Sequence, residues 1–189
     1  MIRNRSFGLF WLCALLSVPD SIAQSGWATT QTGQTEFSSK AAGPARDIYA
    51  IDKTGEVKLN LSDGRIEAKI TMKNFSLPNS LMQKHYNERY MHTDKFPHAT
   101  FKGRILNWKI PPTDGEFNVT VTGDFTVHGV TRKREFKGKM LKKGNQLTLQ
   151  GNFETRLEDH NIEIPVLFFT KITEAVQVTV LYNLPLLDQ

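Results

Sequence analysis

Cysteine is almost absent from the chain. Cys13 is the only one in 189 residues, so no disulfide forms within the molecule and stability has to come from a packed core. Long apolar runs are scarce as well. Phe7 to Val18 is the one extended stretch, and it falls short of the roughly 20 residues needed to cross a bilayer. No Gly-x-Ser-x-Gly elbow is present, and no cysteine nucleophile lies beyond Cys13, which argues against covalent catalysis and for a non-enzymatic role. Low-complexity tracts and internal repeats are also lacking.

The N-terminal segment has the three parts of a secretory signal peptide. Arg3 and Arg5 supply the positive start. Phe7 to Val18 is the apolar middle, and Ser21-Ile22-Ala23 places small residues before a cut at Gln24. The expected division is a signal peptide over 1–23 and a single domain over 24–189, giving a periplasmic or secreted protein. Lys and Arg total 24 against 19 Asp and Glu. Removing Arg3, Arg5 and Asp20 lowers these to 22 and 18, and the net charge from +5 to +4. So modest a charge does not point to nucleic acid. It is compatible with an anionic membrane surface or with solubility alone. A mature chain of about 166 residues suits one domain that buries roughly 70% of its unfolded surface.

From Glu36 onward the main signal is alternation with period two, the mark of strands with one buried face. Val57, Leu59 and Leu61 alternate with polar residues up to Asp63-Gly64. Ile66, Ala68, Ile70 and Met72 follow, then Phe117, Val119, Val121, Phe125 and Val127 after Asp114-Gly115. Phe136 and Met140 belong to a partner strand. Gly144-Asn145 turns the chain into Leu147, Leu149 and Phe153, and Val176, Val178 and Val180 form the last strand. Short strands joined by tight turns predict an antiparallel sandwich or barrel. Ser25 to Thr35 reads as a polar lead or a first edge strand. Ser80 to Tyr90 predicts a short helix, with Ser80 and Gln83 as a capping-box pair and Met82, Tyr86 and Tyr90 as its apolar stripe.

Glycine placement carries the functional signal. Gly103, Gly123, Gly138 and Gly151 each sit on an inward row between apolar neighbours. Glycine weakens a strand, so repeated use calls for a reason. Bending at barrel corners is one. Space for a ligand is a second and compatible one, since barrels of about eight strands either fill themselves or hold one small molecule. By parity the lumen is lined by Ile70, Met72, Phe101, Ile105, Val121, Phe125, Phe136, Met140, Leu149, Phe153 and Val178. Such a site needs no polar anchor and leaves no compact motif.

Sharper chemistry has weaker support. His85, Glu88 and His92 recur at helical spacing, as a metal site would require, yet they suit a helix surface or barrel rim equally well. His128 before Gly129 reads as a residue bonding nearby backbone. Asp159 and Glu163 are close in sequence but carry no acid–base pattern. Arg132, Lys133, Arg134, Lys137, Lys139, Lys142 and Lys143 crowd one hairpin, either as a solvated face or as a patch for anionic lipid headgroups. Asn60, Asn74 and Asn118 begin glycosylation sequons, which matter only in a host that uses them.

Two segments carry a family resemblance. His85-Tyr86-Asn87-Glu88-Arg89-Tyr90 followed by Lys95-Phe96-Pro97-His98-Ala99-Thr100-Phe101-Lys102-Gly103 resembles one signature of the YceI-like family. Gly123-Asp124-Phe125-Thr126-Val127-His128-Gly129-Val130-Thr131 resembles a second. Phe153, Asp159, Ile162, Ile164-Pro165 and Lys171-Ile172 fit its closing pattern. The resemblance spans Thr35 to Leu184. It implies an all-β protein with a short helix: a closed, antiparallel, lipocalin-like β-barrel whose lumen admits a long apolar chain. No cofactor is expected beyond a bound isoprenoid, quinone-like or fatty-acid-like lipid, and the protein would be a monomer or homodimer. Relative to the family members best known for ligand binding, the N-terminal half is short and lacks their elaborate early strands. Three roles follow: a lipid-binding module, a self-filled barrel that acts through its outer surface, or an enzyme or metalloprotein using the His85 helix.

Overall fold

A computed structural model describes residues 26–39, 48–163 and 175–186. The expected signal peptide, and the Ile164-Pro165 and Lys171-Ile172 elements of the closing pattern, lie outside the described residues. Among the described residues ten strands form one antiparallel sheet. They are β1 (Trp27–Thr30), β2 (Gly33–Ser39), β3 (Ile48–Asp52), β4 (Glu56–Asn60), β5 (Arg65–Thr71), β6 (His98–Ile105), β7 (Gly115–Val127), β8 (Val130–Lys143), β9 (Gln146–Arg156) and β10 (Ala175–Pro185). Their spatial order is β1-β4-β5-β6-β7-β8-β9-β10-β2-β3.

Two expectations are corrected here. The sheet has ten strands rather than about eight, and it is not closed: its end strands β1 and β3 do not pair. The sheet curls into an open barrel because β1 and β2 are successive parts of one segment. β1 pairs with β4 and β2 with β10, and the Asn183 amide donates to Thr32 O at 2.9 Å in the link between them. Among the described residues three short strands precede β4.

The β7–β8 turn shows how local chemistry sets register. His128 (φ 50°) and Gly129 (φ 75°) both adopt positive φ, the two-residue turn whose twist matches the flanking strands. The Gly129 position is also tight, since a Cβ there would lie 2.7 Å from the Phe96 ring. Asp114-Gly115 and Gly144-Asn145 fall at strand junctions as expected.

The helical segment has the expected bounds, Ser80 to Tyr90, but is less regular than its periodicity implies. α1 covers Ser80–His85, and Tyr86–Tyr90 continues as a π-helical turn. Asn79, not Ser80, caps it: the Asn79 side chain accepts from the Met82 amide at 2.9 Å. Gln83 Oε1 accepts from the Leu77 amide instead of closing a capping box.

Candidate functional site

The barrel has a solid end and a hollow end. At the solid end Leu59, Leu147 and Leu184 are completely buried, and Ala28, Ile105 and Met140 nearly so. Register brings them together: Ala28 faces Leu59, and Leu147 faces Leu184. This is the floor of the barrel. The segment Ser80–Met91 roofs the other end. Between them lies a cavity of about 550 Å³.

Ten of the eleven side chains expected to face inward line this cavity: Ile70, Met72, Phe101, Ile105, Val121, Phe125, Phe136, Leu149, Phe153 and Val178. Met140 does not. It faces Leu149 and Phe117 across its neighbouring strands and packs in the floor. Met72 lines the cavity from a 3-10 turn just past the end of β5.

The four glycines divide into two cross-strand pairs. Gly138 and Gly151 face each other and line the cavity. Gly103 and Gly123 also face each other but do not line it, because Phe101 folds over them. A Cβ at Gly103 would stand 2.7 Å from the tip of that ring, and one at Gly123 2.8 Å. This pair makes room for an aromatic ring on the wall, as when a large side chain covers strand glycines.

Several lining residues were missed by the sequence reading. Phe37 from β2 and Phe75 pack with Tyr86 under the roof, with ring centroids 5.0 to 6.2 Å apart. The alternation Thr35-Phe37-Ser39 could have revealed the first. Phe75 sits in a non-periodic stretch that offers no such signal. Leu157, His160 and Ile162 line the cavity after β9. The Tyr86 hydroxyl is buried, without a protein partner, and held well above its ordinary pKa by burial and by Asp52 nearby. Tyr182 shares a 2.9 Å hydrogen bond with the Thr35 hydroxyl.

Polar contacts tie the roof side of the barrel. The turn Glu158–His160 reaches back to β8. Asp159 forms an ion pair with Arg134, Arg132 donates to the Asp159 carbonyl at 2.9 Å, and His160 Nδ1 lies 3.1 Å from Val130 O. His128 Nδ1 in turn lies 3.2 Å from His160 O. Each ring nitrogen faces a carbonyl, so each carries the proton and donates. Burial lowers the pKa of both imidazoles. Arg134 holds the Asp159 carboxyl below the usual range.

The His85, Glu88 and His92 set does not converge: among the described residues no group of three or more His, Cys, Asp or Glu side chains could hold a metal. His92 stacks on His128 instead, with centroids 5.6 Å apart. The basic hairpin is partly neutralised. Besides Arg134, Lys139 pairs with Glu116 at 2.6 Å and Lys142 with Asp114 at 3.5 Å.

Comparison with known proteins follows the same lines. No curated protein matches the chain. Among solved structures, a polyisoprenoid-binding domain from Saccharophagus degradans superposes with a TM-score of 0.73 at 11% identity, covering 86% of this chain and 99% of that one. Burkholderia cenocepacia BcnA gives 0.63 at 15% identity over 80% and 95%. A Campylobacter jejuni YceI protein gives 0.52 at 9% identity over 96% and 91%. At these identities the likeness establishes the fold. The family model of the YceI-like domain matches residues 25–184, which includes the whole span of the resemblance from Thr35 to Leu184 and ten residues before it, and the chain belongs to that family.

Proposed function

We propose that this protein is an exported binding protein that holds the apolar tail of an isoprenoid or other lipid-like molecule in its barrel, as carrier, buffer or sequestering agent. The observation that carries this reading is the cavity itself. Its volume lies within the roughly 300–1,000 Å³ typical of ligand pockets, its walls are mostly aliphatic and aromatic, and among the described residues no carboxylate lines it. This open space supports the reading over the self-filled alternative.

A long tail can bind through apolar contact alone. Each buried CH₂ contributes about 0.8 kcal/mol, so ten carbons gain about 8 kcal/mol, comparable with an association cost of roughly 4–15 kcal/mol, and a longer tail gains more. A similarly folded domain is described as polyisoprenoid-binding, which supports the same ligand class here. Export rests on the signal-peptide grammar of residues 1–23.

The test is native mass spectrometry of the mature protein from its own host, followed by organic extraction. The expected result is a stoichiometric mass excess that moves to the organic phase and matches a prenyl or acyl chain. Val121→Trp, which projects a large ring into the cavity, should fold and lose that excess. A bare polypeptide mass, with no uptake of added quinone or fatty acid, would overturn the reading.

A further inference from the structure

The wall between β8 and β9 is forked. Both strands run on towards the roof, yet their pairing stops at Gly138–Gly151. Beyond that point the only strand paired with β8 among the described residues is β7, through to Val130, and the only one paired with β9 is β10, through to Arg156. The sequence explains the fork. Continuing the register would set Glu135 opposite Glu154 and Lys133 opposite Arg156, two like-charge pairs that disfavour a ladder. Glu154 instead accepts from Gln177 on β10 at 2.9 Å, and Arg156 pairs with Glu158 at 2.7 Å. The glycine pair marks the apex, where the absence of side chains weakens pairing. Only ring contact bridges the gap inside, where Phe136 stacks on Phe153 with centroids 3.9 Å apart.

The cavity enters this fork. From β7 and β10 it is lined by inward residues alone, Val119, Val121, Phe125 and Val127 and then Val176, Val178, Val180 and Tyr182. From β8 it is lined by the consecutive residues 136–139, and from β9 by 149–151 and 155–156. Consecutive residues also line it on β6, at 99–101, but there both neighbouring strands are paired; at the fork no ladder closes the wall, which leaves the cavity a path between the strands to the outer surface. The charged residues along its lining are Lys137, Lys139 and Arg156, all cationic; Lys137 and Arg156 lie in the fork and Lys139 one rung below its apex, where it pairs with Glu116 at 2.6 Å at the surface. Lys137 faces Thr120 on β7, not a carboxylate. Glu135 and Glu154 lie nearer the roof and do not line the cavity.

We infer that the β8–β9 fork is the headgroup site and side entrance of the lumen: it takes the anionic end of a single-chain amphiphile, a phosphate or carboxylate held by Lys137 and Lys139, while the tail lies inside. This rests on the proposed lipid-binding role and adds the chemistry of the ligand's polar end. A cation meeting an oxyanion makes a charge-assisted hydrogen bond, and a neutral head would forgo it.

The test compares matched probes on the mature protein. Farnesyl phosphate is set against farnesol, and oleate against methyl oleate, by calorimetric titration. The charged member of at least one pair should bind about tenfold more tightly, from two partly exposed charge contacts. The pair that shows the preference identifies phosphate or carboxylate. K137Q/K139Q should abolish the preference and leave farnesol affinity unchanged. A second variant closes the fork. K137C/N152C, oxidised or bridged by a short bismaleimide, should slow uptake of farnesyl phosphate at least tenfold, while the same bridge at the paired positions E67C/K102C has no effect. Equal affinity within both pairs, or K137Q/K139Q weakening farnesol and its phosphate alike, overturns the headgroup site; uptake unaffected by the closed fork overturns the entrance. In each case the lipid-binding role stands. Failure of all four probes to bind would instead remove that role.

Discussion

The two ends of the barrel are built from the same kinds of residues to opposite effect. At the floor Leu59, Leu147 and Leu184 are excluded from solvent, and strand pairing holds every layer at native spacing. Toward the roof Phe101, Phe125, Phe136 and Phe153 are as apolar as the floor, yet they ring a hollow. The difference is backbone arrangement. At the floor β8 and β9 remain paired from Gly138–Gly151 down to Lys143–Gln146. Above it they fork, and the helical segment that covers the opening leaves Leu81 61% exposed. A barrel interior holds a ligand where its frame keeps side chains apart, and not merely where they are apolar.

The largest expected effect tests that difference with one substitution made in both places. Leu147→Ala, in the floor, removes a side chain packed on all sides and should cost about 2–5 kcal/mol in urea unfolding. Leu149→Ala, two residues along on the same face, trims a side chain that already borders the cavity. It should cost less than half as much, because fewer contacts are lost. Equal costs would mean that the hollow is filled in solution.

Acid should act on the roof side. His128 and His160 have folded pKa values lowered from 6.5, first by burial. Their unfolded forms therefore take up protons first as the pH falls. Stability is full above about 6.5 and is lost as pH drops toward the lowered folded values. The urea midpoint should fall between pH 7 and pH 5, and His160→Phe should flatten that dependence. An unchanged slope in the variant would show that other groups set it.

A smaller effect concerns the roof helix. Asn79→Ala removes the side chain that caps α1 and should cost about 1 kcal/mol. Ser80→Ala, at the position its sequence pattern favours, should leave the urea midpoint nearly unchanged. The reverse ranking would restore the capping box.

These contrasts also show what could be read from residues alone. β4 to β10 were legible because each buries one face, so Val57, Leu59, Ile66 and Ile70 alternate with charges. Parity also placed Phe101, Val121, Phe136 and Leu149 on the inside. Parity has no measure of depth, however. Met140 obeys the same alternation as Phe136 and ends in the floor. Nor does it show whether neighbouring strands pair, so Gly103–Gly123 and Gly138–Gly151 looked alike, although one pair lies under the Phe101 ring and the other opens the wall. The early strands β1 and β3 are four and five residues long, too short for a clear period. The cap was misplaced because Asn79 and Ser80 are adjacent polar residues, and which one leaves the helix is decided by backbone geometry.

The smallest expected effect reaches the boundary between the two regions. The Arg134–Asp159 pair ties the Glu158–His160 turn across the open end of the fork, with both side chains about a third exposed, at 30% and 35%. Solvent screens such a pair, so Asp159→Asn should move the urea midpoint very little. Its effect should be local. Amide exchange should quicken along β8 from Val130 to Lys137, where β7 is the one strand paired with it, and stay unchanged from Lys139 to Lys143, where β9 still pairs. If exchange rises equally along the whole of β8, the strand opens as one unit, and the fork is not a separate element of the wall.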